Sequence, residues 1–446
     1  MKKIRLGLFG VGRGGAFHNI IKANNGEIVA VCEKYAPRAK EAKTNWGENL
    51  AVYDNFDDFI NHDGLDAVML CNRFNEHAPF AIKCMEKGIP VLSECTSAST
   101  MTDAVALVRA YEKYNSIYMI SENFPFMLFN QEMRKVYEEG TLGELLYAEG
   151  EYSHGGSAID AYLKEREEKK DQDLTKKGLV AGDSIKYYTP YEKHWRNYLP
   201  RTYYLTHSLA PLMWITGKTP KRVSAMPIYK PHIPFELHCG DAASIILIQN
   251  DDNSVFRVTG NASFGCREDS YRIVGVNGQI ENVRGQGHTV VLNYEEGFVP
   301  ENMKENNIYT PKWEDVVDDS EVETVKNAGH GGGDYFVIRE FFNCIRENKK
   351  PEMDAYFGAT MSATGILAHR SILEGKPFDI PDMRNEEERK MYENDTATPF
   401  WGSDGREPSI CPTSDPNFKQ DQKYIDAYRE AITSPWSDGT PHSNKQ

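Results

Sequence analysis

Ile4-Arg5-Leu6-Gly7-Leu8-Phe9-Gly10-Val11-Gly12-Arg13-Gly14-Gly15 decides the fold of the first part of this chain. Six residues of short apolar strand run straight into a glycine turn that matches GxGxxG, and residues 16–24 then read as a helix. In that context the glycines permit a tight turn, a close approach of backbone to a pyrophosphate and close packing of helix on strand, with the phosphates at the positive helix end. Glu33 ends the next strand, at about the 20-residue spacing where a carboxylate accepts both ribose hydroxyls and repels a 2′-phosphate. Together the two features predict NAD as cofactor, with Gly10, Gly12, Arg13, Gly14, Gly15 and Glu33 around it.

Outward from this turn, short apolar runs alternate with helical patterns to about residue 120. Strands are expected at 4–9, 28–32, 67–71, 90–93 and 118–121, and helices at 16–24, 36–46, 56–61, 78–87 and 103–114. Alternation of this kind builds βαβ units and a parallel sheet. From residue 131 the pattern changes to one helix (131–139) and then strand-like runs at 144–152, 222–229, 242–249, 254–261, 270–275 and 289–293. The predicted class is therefore α/β plus α+β. An N-terminal Rossmann domain (1–125) precedes a domain with a large open, mostly antiparallel sheet (126–382). A polar C-terminal arm (383–446) then lies over the surface of the chain or of a partner subunit. Residues 163–176 are a charged run, expected as a solvated insertion.

A chain of 446 residues exceeds the roughly 250–300 at which one hydrophobic core stops growing. Its net charge of -15 argues against a nucleic-acid binder, which needs a basic face. No apolar stretch approaches the roughly 18 residues of a membrane span, and the apolar run at the start is too short for a signal-peptide core. Eight scattered cysteines without CxxC or zinc-ligand spacing fit reduced thiols in a cytoplasmic protein without a bound metal.

Asn72-Arg73-Phe74-Asn75-Glu76-His77 and Ser93-Glu94-Cys95-Thr96, placed after successive strands, make the chain resemble the Gfo/Idh/MocA oxidoreductases over about residues 3–382. The resemblance implies that Asn72, Asn75, His77, Glu94, Cys95 and Asn123 lie around the cofactor. It also implies a homo-oligomer and a small sugar or glycoside as substrate. That family carries Glu-Lys-Pro where this chain has Glu94-Cys95-Thr96, and Cys95 cannot replace the lysine as a cationic donor. One branch, the NAD-dependent glycoside hydrolases of the α-N-acetylgalactosaminidase type, also lacks the lysine. Four segments are similar to that branch: Glu122-Asn123; Gly143 to His154; Tyr204-Leu205-Thr206-His207-Ser208-Leu209-Ala210-Pro211; and Gly329-His330-Gly331-Gly332-Gly333-Asp334. The chain departs from it at Gly155, where the branch has an acidic residue. The resemblance implies oxidation at C3, proton loss at C2, elimination at C1, water addition and re-reduction.

Oxidising a secondary alcohol needs a base for the hydroxyl proton. Histidine, with an ordinary pKa of about 6.5, suits the task. His207 is expected on the first turn of a helix, whose dipole disfavours imidazolium, and is the first choice as base. Tyr204, and Tyr152 with His154 on one strand face, are the other expected catalytic groups. His330 and Asp334 are expected at the substrate, with Asp334 equally suited to cap a helix. The alternatives left open are a simple sugar or inositol dehydrogenase and a non-catalytic NAD-binding sensor.

Overall fold

A computed structural model describes residues 2–153, 195–231, 240–263 and 268–419. The first sheet has six parallel strands: β1 (Ile4–Phe9), β2 (Gly26–Cys32), β3 (Ala51–Tyr53), β4 (Ala67–Leu70), β5 (Val91–Ser93) and β6 (Tyr118–Ile120). Their order, β3-β2-β1-β4-β5-β6, is that of a dinucleotide-binding doubly wound fold. Strands β4, β5 and β6 are buried throughout, as expected where helices cover both faces of a parallel sheet.

The second sheet has nine strands: β7 (Leu145–Ser153), β8 (Pro220–Tyr229), β9 (Asp241–Asn250), β10 (Val255–Gly260), β11 (Glu268–Gly275), β12 (Gly278–Asn282), β13 (Val290–Tyr294), β14 (Asn306–Tyr309) and β15 (Phe378–Asp379). Its order is β14-β13-β12-β11-β7-β10-β9-β8-β15, antiparallel except between β7 and β10. One face is covered by the helices Thr206–Thr216 and Ala355–Glu374, while the other leaves Met226 and Leu247 exposed. The helix Ala355–Glu374 also packs on Met101–Tyr114, which joins the two sheets through one continuous core.

Two expectations about elements need correction. The helix expected to begin at residue 16 begins at Val11, because Gly14 and Gly15 take helical dihedrals and carry the turn directly into the helix. The short strands β3, β12, β14 and β15 were not foreseen. They are brief and only partly buried, so they lack the apolar run or alternation by which a strand is recognised. The charged run 163–176 and His154 lie outside the described residues.

The described part of the C-terminal arm packs against its own chain. Phe400 is buried, its ring 5.5 Å from that of Tyr203 and 6.2 Å from that of Phe74. Arg370 pairs with Asp395, and His369 Nε2 lies 2.7 Å from the Cys411 carbonyl. Six described cysteines are free. No described helix is long and apolar enough to cross a membrane.

Two glycines set how closely the segment carrying His207 approaches the second sheet. A Cβ at Gly150 in β7 would lie 2.0 Å from the Ser208 carbonyl oxygen, and one at Gly260 in β10 would lie 2.4 Å from that of Arg201. Backbone cannot swing aside as a side-chain tip can, so only glycine permits this seating. Gly150→Ala should therefore destabilise the fold by about 1–3 kcal/mol in urea unfolding, the usual cost of overpacking, and should reduce activity by moving His207. An unchanged midpoint would show that the helix has room to shift.

Candidate active site

The carboxyl ends of five strands of the first sheet converge on one region. Gly10 follows β1, Glu33 follows β2, Cys71 and Asn72 follow β4, Glu94 and Cys95 follow β5, and Glu122 and Asn123 follow β6. The carboxyl ends of parallel strands are where open α/β sheets bind ligands. Gly10 has φ +92°, and a Cβ there would stand 2.3 Å from the Cys71 carbonyl oxygen. Glu33 is buried and braces the turn: its carboxylate accepts the Val11 amide at 3.2 Å and the Tyr35 amide at 2.9 Å. Arg38 lies 4.0 Å from Glu33, and a Cβ at Gly12 would meet its guanidinium at 3.1 Å.

Asn72 supplies the observation that fits a dinucleotide to this cradle. Both polar atoms of its amide are buried without a hydrogen-bond partner among the described residues. A buried amide left this way costs free energy unless something else satisfies it, and a bound polar ligand is one way to do so. Asn75 turns toward the arm, its amide nitrogen 3.4 Å from the Trp401 carbonyl. His77 stands apart, with Nδ1 2.8 Å from the Thr96 carbonyl.

Arg13 leaves the glycine turn and crosses to the second half of the chain. Its guanidinium lies 2.9 Å from Glu94 and 3.3 Å from Asp334, and it covers the Phe17 ring at 4.4 Å. Burial opposes the charge, but Glu94 and Asp334 outweigh it and raise the pKa of Arg13. Asp334 also accepts from Asn123 Nδ2 at 2.7 Å and faces His330 Nδ1 at 3.1 Å. Although burial disfavours its charge, His330, Arg13 and Asn123 hold Asp334 well below the usual carboxylate range.

His207 lies on the first turn of the helix Thr206–Thr216, as expected, and its main partner is one the sequence reading did not assign. Glu122 Oε1 is 2.6 Å from His207 Nδ1, both side chains being buried. The second oxygen of Glu122 accepts from the Cys95 thiol at 3.0 Å. Burial, with Glu122 and Glu94 alongside, pushes that thiol well above its usual range, so it stays protonated and donates. Burial penalises charge on Glu122 as well, yet His207, Cys95 and the Phe124 amide reverse the balance and hold its carboxyl below the ordinary value. A carboxylate at Nδ1 fixes the imidazole tautomer and leaves Nε2 as the acceptor, which is the arrangement of a general base with its orienting acid.

Aromatic rings enclose His207. Phe124 stacks on it at 4.2 Å, and Tyr152 and Tyr204 meet it edge-on at 4.7 and 5.2 Å. The His330 ring lies 6.5 Å away. The Tyr271 hydroxyl donates to the His207 carbonyl at 2.6 Å and fixes the backbone beneath. The structure thus brings together His207, Tyr204, Tyr152, His330, Asp334, Asn123, Arg13, Glu94 and Cys95, and adds Glu122 and Phe124. The signal for Glu122 was its place directly after a strand of the parallel sheet. No group of side chains able to hold a metal ion occurs among the described residues.

Residues 4–122 match the oxidoreductase family with an NAD-binding Rossmann fold, and residues 230–388 match the C-terminal domain of glycosyl hydrolase 109. The chain is thus similar to the Gfo/Idh/MocA oxidoreductases in its first part and to glycosyl hydrolase 109 in its second. A glycosyl hydrolase family 109 protein of Saccharopolyspora erythraea is 24% identical over 415 residues, covering 85% of this chain and 83% of its own. One from Stenotrophomonas maltophilia is 20% identical, covering 85% and 89%. Among solved structures, levoglucosan dehydrogenase in complex with NADH is similar in fold (TM-score 0.68, 16% identity, 85% of this chain and 100% of that one). So is myo-inositol 2-dehydrogenase from Lactobacillus plantarum (TM-score 0.57, 15% identity, 85% and 100%).

Burial lowers the pKa of His77 from 6.5 to about 4, so the folded chain favours its neutral form. Between about pH 6.5 and 4 the unfolded chain binds a proton that the folded chain refuses, and stability falls as pH drops through that window. Across it the loss due to this residue should be on the order of 3 kcal/mol. Denaturant midpoints of wild type and His77→Asn should diverge less at pH 4 than at pH 7; parallel curves would remove His77 from the account.

Proposed function

We propose that this protein is an NAD-dependent oxidoreductase of glycosides that oxidises the C3 hydroxyl of a pyranoside and proceeds, through loss of the C2 proton and of the C1 substituent, to net hydrolysis. The observation that carries the reading is the 2.6 Å contact of Glu122 with His207, beside a neutral Cys95 in the position where the wider family has lysine. Glycosyl hydrolase 109 relatives over most of the chain support the hydrolytic branch, and the sugar and inositol dehydrogenases of similar fold support oxidation at a ring carbon.

Gly10, Gly12, Arg13, Gly14, Gly15, Glu33, Asn72, Asn75, Glu94, Cys95 and Asn123 are the residues proposed to hold or border NAD, with His77 ordering the loop beneath. Bound NAD supplies the hydride acceptor and donor. His207 Nε2 takes the proton of the C3 hydroxyl, and the resulting imidazolium is stabilised by Glu122 at Nδ1. Tyr152 and Tyr204 border the ring that His207 serves and orient the sugar hydroxyls. Cys95, donating its own proton to Glu122, keeps that carboxylate aimed at the imidazole.

Purified protein incubated with a panel of p-nitrophenyl glycosides discriminates the readings. Nitrophenolate without net NADH supports redox-neutral hydrolysis. Net NADH without nitrophenolate would instead indicate a simple dehydrogenase, and neither signal from protein with NAD bound would indicate a sensor. His207→Ala should lower turnover by ~10²–10⁴ while NAD stays bound. Glu122→Gln, which keeps the shape and loses the charge, should cost about 10–100-fold. Full activity in Glu122→Gln would mean that the carboxylate does not orient the base.

A further inference from the structure

Aromatic rings lead outward from His207 to the C-terminal arm, and the geometry points to Trp195, Tyr198 and Trp401 as a platform that binds a second sugar ring, the leaving group of the glycoside. This rests on the function proposed above, whose chemistry requires a substituent at C1. His207 is buried, and the Tyr204 ring meets it edge-on at 5.2 Å. Tyr204 in turn lies close to parallel with Phe74, at 5.7 Å and 23°, and Trp195 lies close to parallel with the same ring at 5.3 Å and 14°. Phe74 is buried while Tyr204 and Trp195 are half-buried, so the array starts at the base and ends at the surface.

Trp195 and Tyr198 stand three residues apart in the 3-10 turn Trp195–Tyr198, where side chains at that spacing project to the same side. Trp401 of the arm meets Tyr198 edge-on at 6.5 Å, and all three rings are half-buried. The Trp401 carbonyl accepts from the Asn75 amide at 3.4 Å, and Asn75 Oδ1 is buried without a partner among the described residues, which leaves an acceptor for a sugar hydroxyl. The arm holds Trp401 from both sides. Before it, Asp395 pairs with Arg370, and Phe400 is buried against Tyr203 and Phe74. After it, the Cys411 carbonyl faces His369 Nε2 at 2.7 Å, and Ser414 Oγ donates to Asp241 at 2.6 Å. A surface fixed before its ligand arrives loses little freedom on binding.

The chemistry of the rings suits a saccharide. One face of a pyranose carries C–H bonds with weakly positive hydrogens, and the face of an aromatic ring is weakly negative, so the two stack. Because the array is continuous with His207, a ring stacked on it extends the sugar whose hydroxyl His207 serves. The reaction breaks the bond at C1, which places that second ring at the leaving group. An aromatic leaving group would stack on the same rings, and the test separates the two.

NAD-loaded full-length protein is titrated calorimetrically with maltose, cellobiose, lactose and N,N′-diacetylchitobiose, each beside the methyl glycoside of its non-reducing sugar. Turnover of the same compounds is followed by NADH absorbance and by released sugar. At least one disaccharide should bind about tenfold more tightly than its methyl glycoside, the gain expected of one well-stacked ring. Trp401→Ala and Trp195→Ala should each remove most of that gain and raise KM for the disaccharide more than they lower kcat. Trp401→Phe and Trp195→Phe, which keep a ring, should retain the gain to within about threefold. Retention of NAD reports folding. Equal or undetectable affinity for disaccharides and methyl glycosides, or a gain unchanged in both alanine variants, would overturn the platform. So would a gain confined to p-nitrophenyl glycosides, which would assign the rings to an aromatic leaving group. Cleavage of glycosides with no gain from a disaccharide overturns the platform and leaves the proposed function standing. A gain in affinity with neither NADH nor release from any compound overturns the proposed function and, with it, the leaving-group role.

Discussion

A carboxylate with no exposed surface must be paired, because burying a lone charge costs far more than one folded domain can spare. Glu122 meets that demand with His207, and the two residues come from different sheets: one follows the last strand of the parallel sheet, the other starts the helix that covers the second. The pair therefore fixes the relation between the two sheets of the molecule. Cys95 fills the remaining valence of the carboxylate, Phe124 covers the imidazole, and Tyr271 holds the backbone below.

Close approach of backbone makes that pairing reachable. Gly150 and Gly260 let residues 201–208 lie on the sheet without an intervening side chain, which carries His207 inward to Glu122. Gly10 does the same on the other side, where its missing Cβ lets the turn close against Cys71. Arg13 then ties the turn to Asp334 across 321 residues of sequence, so that the cradle for the dinucleotide and the loop carrying His330 share one buried carboxylate. Cofactor site and imidazole pair are in this way one charge network.

The parallel sheet was legible from the first residues because β4, β5 and β6 are buried throughout and β1 and β2 mostly so, and apolar runs between helical patterns have few other readings. Short strands such as β3 and β14 were illegible for the converse reason: they are held by neighbours, with little apolar surface of their own. The place of His207 at a helix start was legible, but its partner was not, since Glu122 lies 85 residues earlier. The arm was read as a surface segment, and only the fold shows that its Phe400 ring is buried beside Phe74 and Tyr203.

What the sequence determined alone was local: a strand passing into a glycine turn, a carboxylate one strand later, apolar runs that must be buried, and histidines at helix and loop starts. These follow from spacing along the chain, where steric and hydrogen-bonding rules act over a few residues. The tertiary structure alone decided which titratable groups meet. Pairing of Glu122 with His207, and sharing of Asp334 among Arg13, Asn123 and His330, depend on the seating of one sheet against the other. That seating is set by the summed packing of a core drawn from the whole chain, which no single segment encodes.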